Sequence, residues 1–329
     1  MNPTELFQPV SPPDGTSQLN TDFSTAELGS LVEVAKFLGR CEVRPGIENI
    51  SLIAMAGDLG LAPSNTATPV TSGATSSTGS MVAADLLNGA GPTAALARAQ
   101  QVSLNIIDAS LASDIPGLAA DTRVTSGTKR VSGEDVLSRE ELLSALALGA
   151  AAADSAIDSG VDMIIPAALA PQAELLSKAL LGVLTGTEPV AVLGFLGTDD
   201  AAWIQELESI RDLMFQGRQH RYAGMNLLSA IGSADFAALV GLIARAASRR
   251  TPLLLDTLPI AVCALLAEGI SPGTKQWLLA GQLTREPAHR LALRTLDCTA
   301  LFALNIPLGR GFGALAALPL VRAASELLI

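Results

Sequence analysis

The chain has 329 residues, 49% of them hydrophobic and only 16% charged, enough apolar material for one large domain or one domain with a subdomain. A net charge of −11 and an aromatic content of 3% argue against a nucleic-acid binder, a stacking platform for single strands, and attraction to anionic membranes. Cys41, Cys263 and Cys298 have no metal-like spacing and read as free thiols, neither histidine has a ligand partner at helical spacing, and apolar runs such as Leu258 to Ala267 are too short to span a bilayer. The expectation is a protein of the cytoplasm with no metal site and no cofactor.

Residues 1–22 hold proline, glycine and polar residues without periodicity and read as a flexible arm. From Thr25, apolar residues recur at three- and four-residue spacing (Leu28, Leu31, Val32, Ala35, Leu38), predicting a helix. Asn49 to Ala56 reads as a buried parallel strand, and Asp58 and Gly60 follow at its carboxyl end, as a turn or as ligand contacts. Residues 62–80, ending at Ser80, form a long uncharged loop of the functional or mobile kind. A glycine-rich turn at Asn88–Pro92 leads into a helix, and Ser103–Asp108 reads as a second strand. Ser138 with Glu141 is a capping box that starts a helix over 139–159, and Gly160–Ile165 reads as a third strand. Two prolines, Pro166 and Pro171, then bracket a predicted turn without N–H donors. Asp199 and Asp200 read as a helix N-cap or as paired carboxylates, and Thr251–Asp256 reads as another strand.

The most informative stretch lies near the end. In Gly281-Gln-Leu-Thr-Arg-Glu-Pro-Ala-His-Arg290, Thr284 is placed to cap a helix whose opening turn holds Glu286 and Pro287. Then Leu308-Gly-Arg-Gly-Phe-Gly-Ala314 sets Gly309, Gly311 and Gly313 directly before an Ala/Leu-rich helix. Such glycines serve either a tight turn or the close approach of an anion to free N–H groups at a helix start.

Together these two pieces resemble the C-terminal signature of the nicotinate-nucleotide:dimethylbenzimidazole phosphoribosyltransferases, roughly G-H-x-S-x-E-P-G-H-R followed by R-L-G-E-G-T-G-A-x-L-A-x-P. Gly281, Glu286, Pro287, His289 and Arg290 match the first part, and Leu308, Gly309, Gly311, Gly313, Ala314 and Pro319 the second. The resemblance covers about residues 25 to 329. It implies an α/β fold: a doubly wound, mainly parallel sheet in a Rossmann-like domain of residues 48–284, with a small helical subdomain from 23–47 and 285–329. It further implies substrate contacts from Asp58, Gly60, Ser80, Gly281, Glu286, His289, Gly309, Gly311 and Gly313. The ligand implied is nicotinate mononucleotide or a benzimidazole-like base. The family is dimeric, so a homodimer is expected, or a heteromer with an active paralogue. The segments 234–247 and 314–328 fit either an interface or the core.

The departures fall where the family carries its chemistry. Arg310 stands at the position of the catalytic glutamate, Leu59 and Ser80 replace a histidine and a glutamine, and Pro166 to Glu174 replaces a glycine-rich phosphate cradle. A guanidinium is a permanent cation without acceptor capacity, so Arg310 is not expected to act as a base. The expected function is that of a catalytically impaired homologue that binds a ligand or pairs with a paralogue; the alternative is an active phosphoribosyltransferase.

Overall fold

The computed structural model describes residues 7–16, 19, 28–60, 78–128, 135–195 and 199–329. Half of the arm, the bulk of the 62–80 loop, Lys129, Arg130, Gly197 and Thr198 lie outside the described residues.

Six parallel strands form one sheet in the order β2-β1-β3-β4-β5-β6. They are β1 (Ile50–Gly57), β2 (Ser103–Ser110), β3 (Met163–Ala168), β4 (Leu253–Leu255), β5 (Leu278–Gln282) and β6 (Ala300–Phe302). Period-two alternation divides β1 between two apolar layers. Ile50, Leu52, Ala54 and Ala56 join one cluster, and Ile53 and Met55 the other. A parallel strand covered on both faces has to be apolar throughout, and all eight residues of β1 are buried.

The first layer contains α1 (Leu31–Arg40), α2 (Gly79–Leu87), α3 (Gly91–Ala99) and α12 (Phe312–Ser325). The opposite layer contains α4 (Arg139–Asp158), α5 (Ala173–Thr185), α8 (Gly224–Ile231), α9 (Ala234–Ser248), α10 (Leu258–Ile270) and α11 (Pro287–Thr295). Between α5 and α8 run the short α6 (Pro189–Leu193) and the long α7 (Asp200–Gly217). The capping box forms: Ser138 Oγ accepts from Glu141 N–H at 3.2 Å, and Glu141 accepts from Ser138 N–H at 2.7 Å. Asp199 caps α7 by accepting from Ala202 N–H.

This architecture corrects the expected fold class. Among the described residues helix makes up 52% and strand 12%, so the fold is predominantly helical around a small parallel sheet, not sheet-dominated with a minor helical subdomain. Two of the strands span only three residues, while Ala/Leu-rich segments extend as helices on both faces. Nor do the terminal helices stand apart, since α1 and α12 share one core cluster with Leu52, Ile165 and Leu254 of the sheet.

Two local expectations are also corrected. Pro166 does not open a turn; it lies inside β3, opposite Ile53. Ile164 N–H bonds to Pro252 on the β4 side, and backbone amides alternate, so the nitrogen of Pro166 faces β4 too. With no donor there, the β3–β4 ladder stops at Ile164↔Leu253. Thr284 does not cap α11 either: Glu286 occupies the N-cap position with Pro287 in the first turn, and Gly281 belongs to β5.

Helices α4 and α9 cross at two glycines. A Cβ on Gly149 would strike the carbonyl of Ala238, and one on Gly241 the carbonyl of Leu146. This crossing buries α9 within the protomer, where Ala234 to Ala244 are fully inaccessible, which assigns that helix to the core. Backbone cannot yield here as a flexible side chain would, so Gly149→Ala is expected to destabilise by about 2 kcal/mol or more, the usual scale of overpacking. Thermal or urea unfolding checks this, and a wild-type midpoint would show that the helices do not touch there.

Candidate functional site

In an open parallel sheet, ligand-facing groups collect beyond the carboxyl ends of the strands. Asp58 follows β1, Ala170 and Pro171 follow β3, Asp256 and Thr257 follow β4, and Gln282 closes β5. The loop from Ile306 to Gly311 and the start of α12 close over these ends.

A buried knot fixes that loop. Gln282, fully buried, donates from Nε2 to Asp256 Oδ1 (3.0 Å) and to the Ile306 carbonyl (2.9 Å), and its Oε1 accepts from Ile306 N–H (3.1 Å). Burial pushes the Asp256 carboxyl up to about 6, against the opposing pull of Gln282 and of the Gly311, Gly313 and Ala314 amides. Gly313 is required by this knot, because a Cβ would collide with Gln282 Nε2 and Asp256 Oδ1. At Gly311, φ is +80° and a Cβ would strike Leu52.

The loop presents Arg310 with φ +59°, a left-handed conformation uncommon outside glycine. The side chain is half-buried and, among the described residues, makes no hydrogen bond or ion pair. Burial lowers its pKa, with Asp85 acting weakly in the other direction. Arg310 and Leu308 border two adjoining cavities. The first, about 110 Å³, is lined by Ala168, Ala170, Glu174, Thr257 and Gly309 among others. The second, about 160 Å³, lies over α2 and the start of α3.

Glu174, in the first turn of α5, shares the first cavity with Arg310. Its Oε2 is buried without a hydrogen-bond partner among the described residues. Burial raises its pKa to about 8; Lys178 pulls it down, while Glu286, Asp256 and Glu206 push it further up. Lys178, one turn on and 5% exposed, contacts Glu206 at 2.9 Å and Glu286 at 3.3 Å. Burial alone would lower the Lys178 pKa, yet the three carboxylates hold it above its ordinary value.

The remaining sequence candidates divide into groups. Asp58 accepts from Gly79 N–H (2.6 Å), Ser80 Oγ (2.8 Å) and Ala112 N–H (3.0 Å), so Asp58 and Ser80 meet and fasten α2 to the end of β1. Gly60 lies just beyond Asp58 in the same segment. Gly281 admits α12 close to β5: a Cβ would lie 3.2 Å from both Ala314 and Ala317. His289 is fully buried, and its Nδ1 sits 3.2 Å from Thr284 N and 3.1 Å from Thr284 Oγ1. Burial pushes it down to about 4, which leaves the ring neutral near pH 7. Glu286 pairs with Lys178 and through it joins the Glu174 side of the cleft. Gln282, Glu174 and Thr257 were not singled out by sequence reasoning. A glutamine after a strand glycine and a glutamate at a helix start are common, and only their neighbours distant in sequence give them significance. Among the described residues, no group of three or more His, Cys, Asp or Glu side chains is placed to hold a metal ion, and no helix is long and apolar enough to cross a membrane.

A nearly full-length match defines the class: a phosphoribosyltransferase family model covers residues 17–329. The nicotinate-nucleotide–dimethylbenzimidazole phosphoribosyltransferase of Corynebacterium glutamicum is 36% identical, over 100% of this chain and 92% of its own length. That of Mycobacterium avium is 36% identical over 97% and 93%. The crystal structure of CobT from Thermus thermophilus superimposes with a TM-score of 0.83 at 28% identity, covering 94% of this chain and 92% of the other. The chain belongs to the nicotinate-nucleotide–dimethylbenzimidazole phosphoribosyltransferase family.

The pKa of Glu174 has a sign that can be tested. The carboxyl ionises near 4.5 in the open chain and at about 8 in the fold. Its contribution to stability is therefore present below 4.5 and lost as pH rises to 8. Asp235 and Asp256 are half-ionised near 6 and His289 is neutral well below its ordinary 6.5; wild type and variant share all three, so the difference between them isolates Glu174. Between about pH 6.5 and 8.5, wild type should lose melting temperature relative to Glu174→Gln. Parallel melting curves across that window would remove Glu174 from the buried cluster.

Proposed function

We propose that this chain is a divergent member of its family that binds a small molecule in the cleft beside Arg310. In this reading it is impaired in base-assisted phosphoribosyl transfer, and acts as a ligand-binding protein or beside an active paralogue. The supporting observation is the place of Arg310, half-buried and without a counter-ion among the described residues, at the junction of two cavities. Transfer of phosphoribose to a benzimidazole nitrogen requires the ring to shed its N–H proton, and a positioned carboxylate is worth roughly 10²–10⁴ in rate. A guanidinium at that point donates only, and its positive field disfavours the cationic pyridinium of a nicotinate nucleotide. Beyond β3, Pro171 supplies no N–H to a phosphate, and the first cavity, at about 110 Å³, is too small for a whole nucleotide, since pockets for drug-sized ligands run from roughly 300 Å³.

The test is turnover of nicotinate mononucleotide with dimethylbenzimidazole. The expected result is little or no product from wild type and a gain of about tenfold or more in Arg310→Glu. Wild-type turnover at the rate of the Corynebacterium glutamicum relative, measured side by side, would overturn the reading.

Glu174 favours a second reading, an active transferase in which its carboxylate takes the acceptor's proton. The raised pKa suits a base working near neutral pH, and the orphan Oε2 leaves an oxygen free to accept. Under this reading Glu174→Gln abolishes turnover while Arg310→Glu brings no gain. The two variants therefore separate the readings in one assay.

A further inference from the structure

The first turn of α9 holds a buried carboxylate that borders neither cavity. Asp235 is fully inaccessible, and neither Oδ1 nor Oδ2 has a hydrogen-bond partner among the described residues. Two hydroxyls share this state. Ser233, at the N-cap position of α9, and Ser110, at the end of β2, are each fully buried with an unpartnered Oγ. Gly57, which closes β1, brings two of these groups to one point: a Cβ on it would lie 2.5 Å from Ser110 Oγ and 2.9 Å from Asp235 Oδ1. Burial pushes the Asp235 carboxyl up to about 6, the Ser233 hydroxyl and the amides of Asp235 and Phe236 pull it down, and Asp58 adds a like charge that raises it. Above pH 7 the group is therefore mostly ionised, and no lysine, arginine or histidine of the described residues forms an ion pair with it. Cys263 brings no counter-charge, because burial and this same carboxylate push its thiol well above the ordinary range.

We propose that Asp235, Ser110 and Ser233 bind a monovalent alkali cation, sodium or potassium, through the carboxylate and the two hydroxyl oxygens. A buried charge without a counter-charge is costly, and water satisfies its hydrogen bonds without balancing it. The positive end of α9 favours the ionised form of Asp235 but closes no hydrogen bond to either oxygen. All three donors are hard oxygens, which suit hard cations over zinc or copper. One carboxylate balances one positive charge, so a divalent ion would leave an excess, and magnesium also gives up its water reluctantly. Two of the three donors are hydroxyls, which sets this group apart from the His, Cys, Asp and Glu clusters that hold transition metals. Bound there, the ion ties the start of α9 to the ends of β1 and β2, one residue before Asp58. The inference is independent of the reading of the cleft and holds whether or not transfer occurs.

The test is thermal unfolding of the full chain at pH 8 in sodium, potassium or choline chloride at equal ionic strength. A ligand that binds only the native state stabilises it in proportion to the logarithm of its concentration above Kd. Sodium or potassium is expected to raise Tm over choline by about 2 °C or more. Asp235→Asn keeps the shape and removes the charge, so the difference between salts should vanish, and Ser110→Ala should shrink it. Equal Tm in all three salts, an Asp235→Asn protein that keeps the difference, or a larger rise with millimolar calcium chloride than with either alkali salt would each overturn the proposal. Crystals grown in rubidium chloride need no variant, so a folding defect in a mutant leaves the proposal falsifiable. An anomalous peak between Asp235 and Ser110 is expected there, and density for water alone at that place overturns the assignment.

Discussion

The side chain of Gln282 joins three parts of the chain that sequence keeps apart. It ties the end of β4 through Asp256, the end of β5 through its own backbone, and the loop before α12 through both backbone groups of Ile306. Because it is fully buried, none of these hydrogen bonds can be exchanged for water at low cost. The glycine loop takes its shape from this knot, and Arg310 takes its direction from the loop. Both cavities border on that one residue. The geometry of the cleft therefore depends on an interior amide that touches neither cavity.

The charges around the cleft are divided across Arg310. On the α5 side, three glutamates surround a single buried lysine, an excess of acid that only partial protonation relieves. On the α3 side, a lone guanidinium faces a helix start and one exposed aspartate. Family membership accounts for the scaffold that carries this arrangement. The chemistry belongs to the side chains that fill it, and the same scaffold accommodates different occupants.

Much of the fold was legible because it is written locally. The apolar runs of β1 and β2, the Ser138–Glu141 box and the Asp199 cap each declare themselves within a few residues. What was not legible depends on distant neighbours. Strands β5 and β6 are short, and β5 ends in the Gly281-Gln282 pair that reads as a loop until β4 and α12 are set beside it. Pro166 looked like a turn residue because a missing donor usually marks one; the strand tolerates it by giving up pairing with β4. The balance of helix over strand is not legible locally, because a buried apolar run fits either element until its length and neighbours are fixed. Within the site, Gly313 and Arg310 could be found by pattern. Glu174 could not, since its significance lies in an unmet hydrogen bond that only burial reveals.

The left-handed backbone at residue 310 has an evolutionary consequence. A branched side chain is penalised in that conformation, whereas unbranched arginine and glutamate are penalised about equally. The scaffold is thus nearly indifferent to which of the two it carries. Selection for stability would neither resist nor reward a switch of sign at the tip, and a lineage could pass between acid and cation there in a few nucleotide changes without a refolded intermediate.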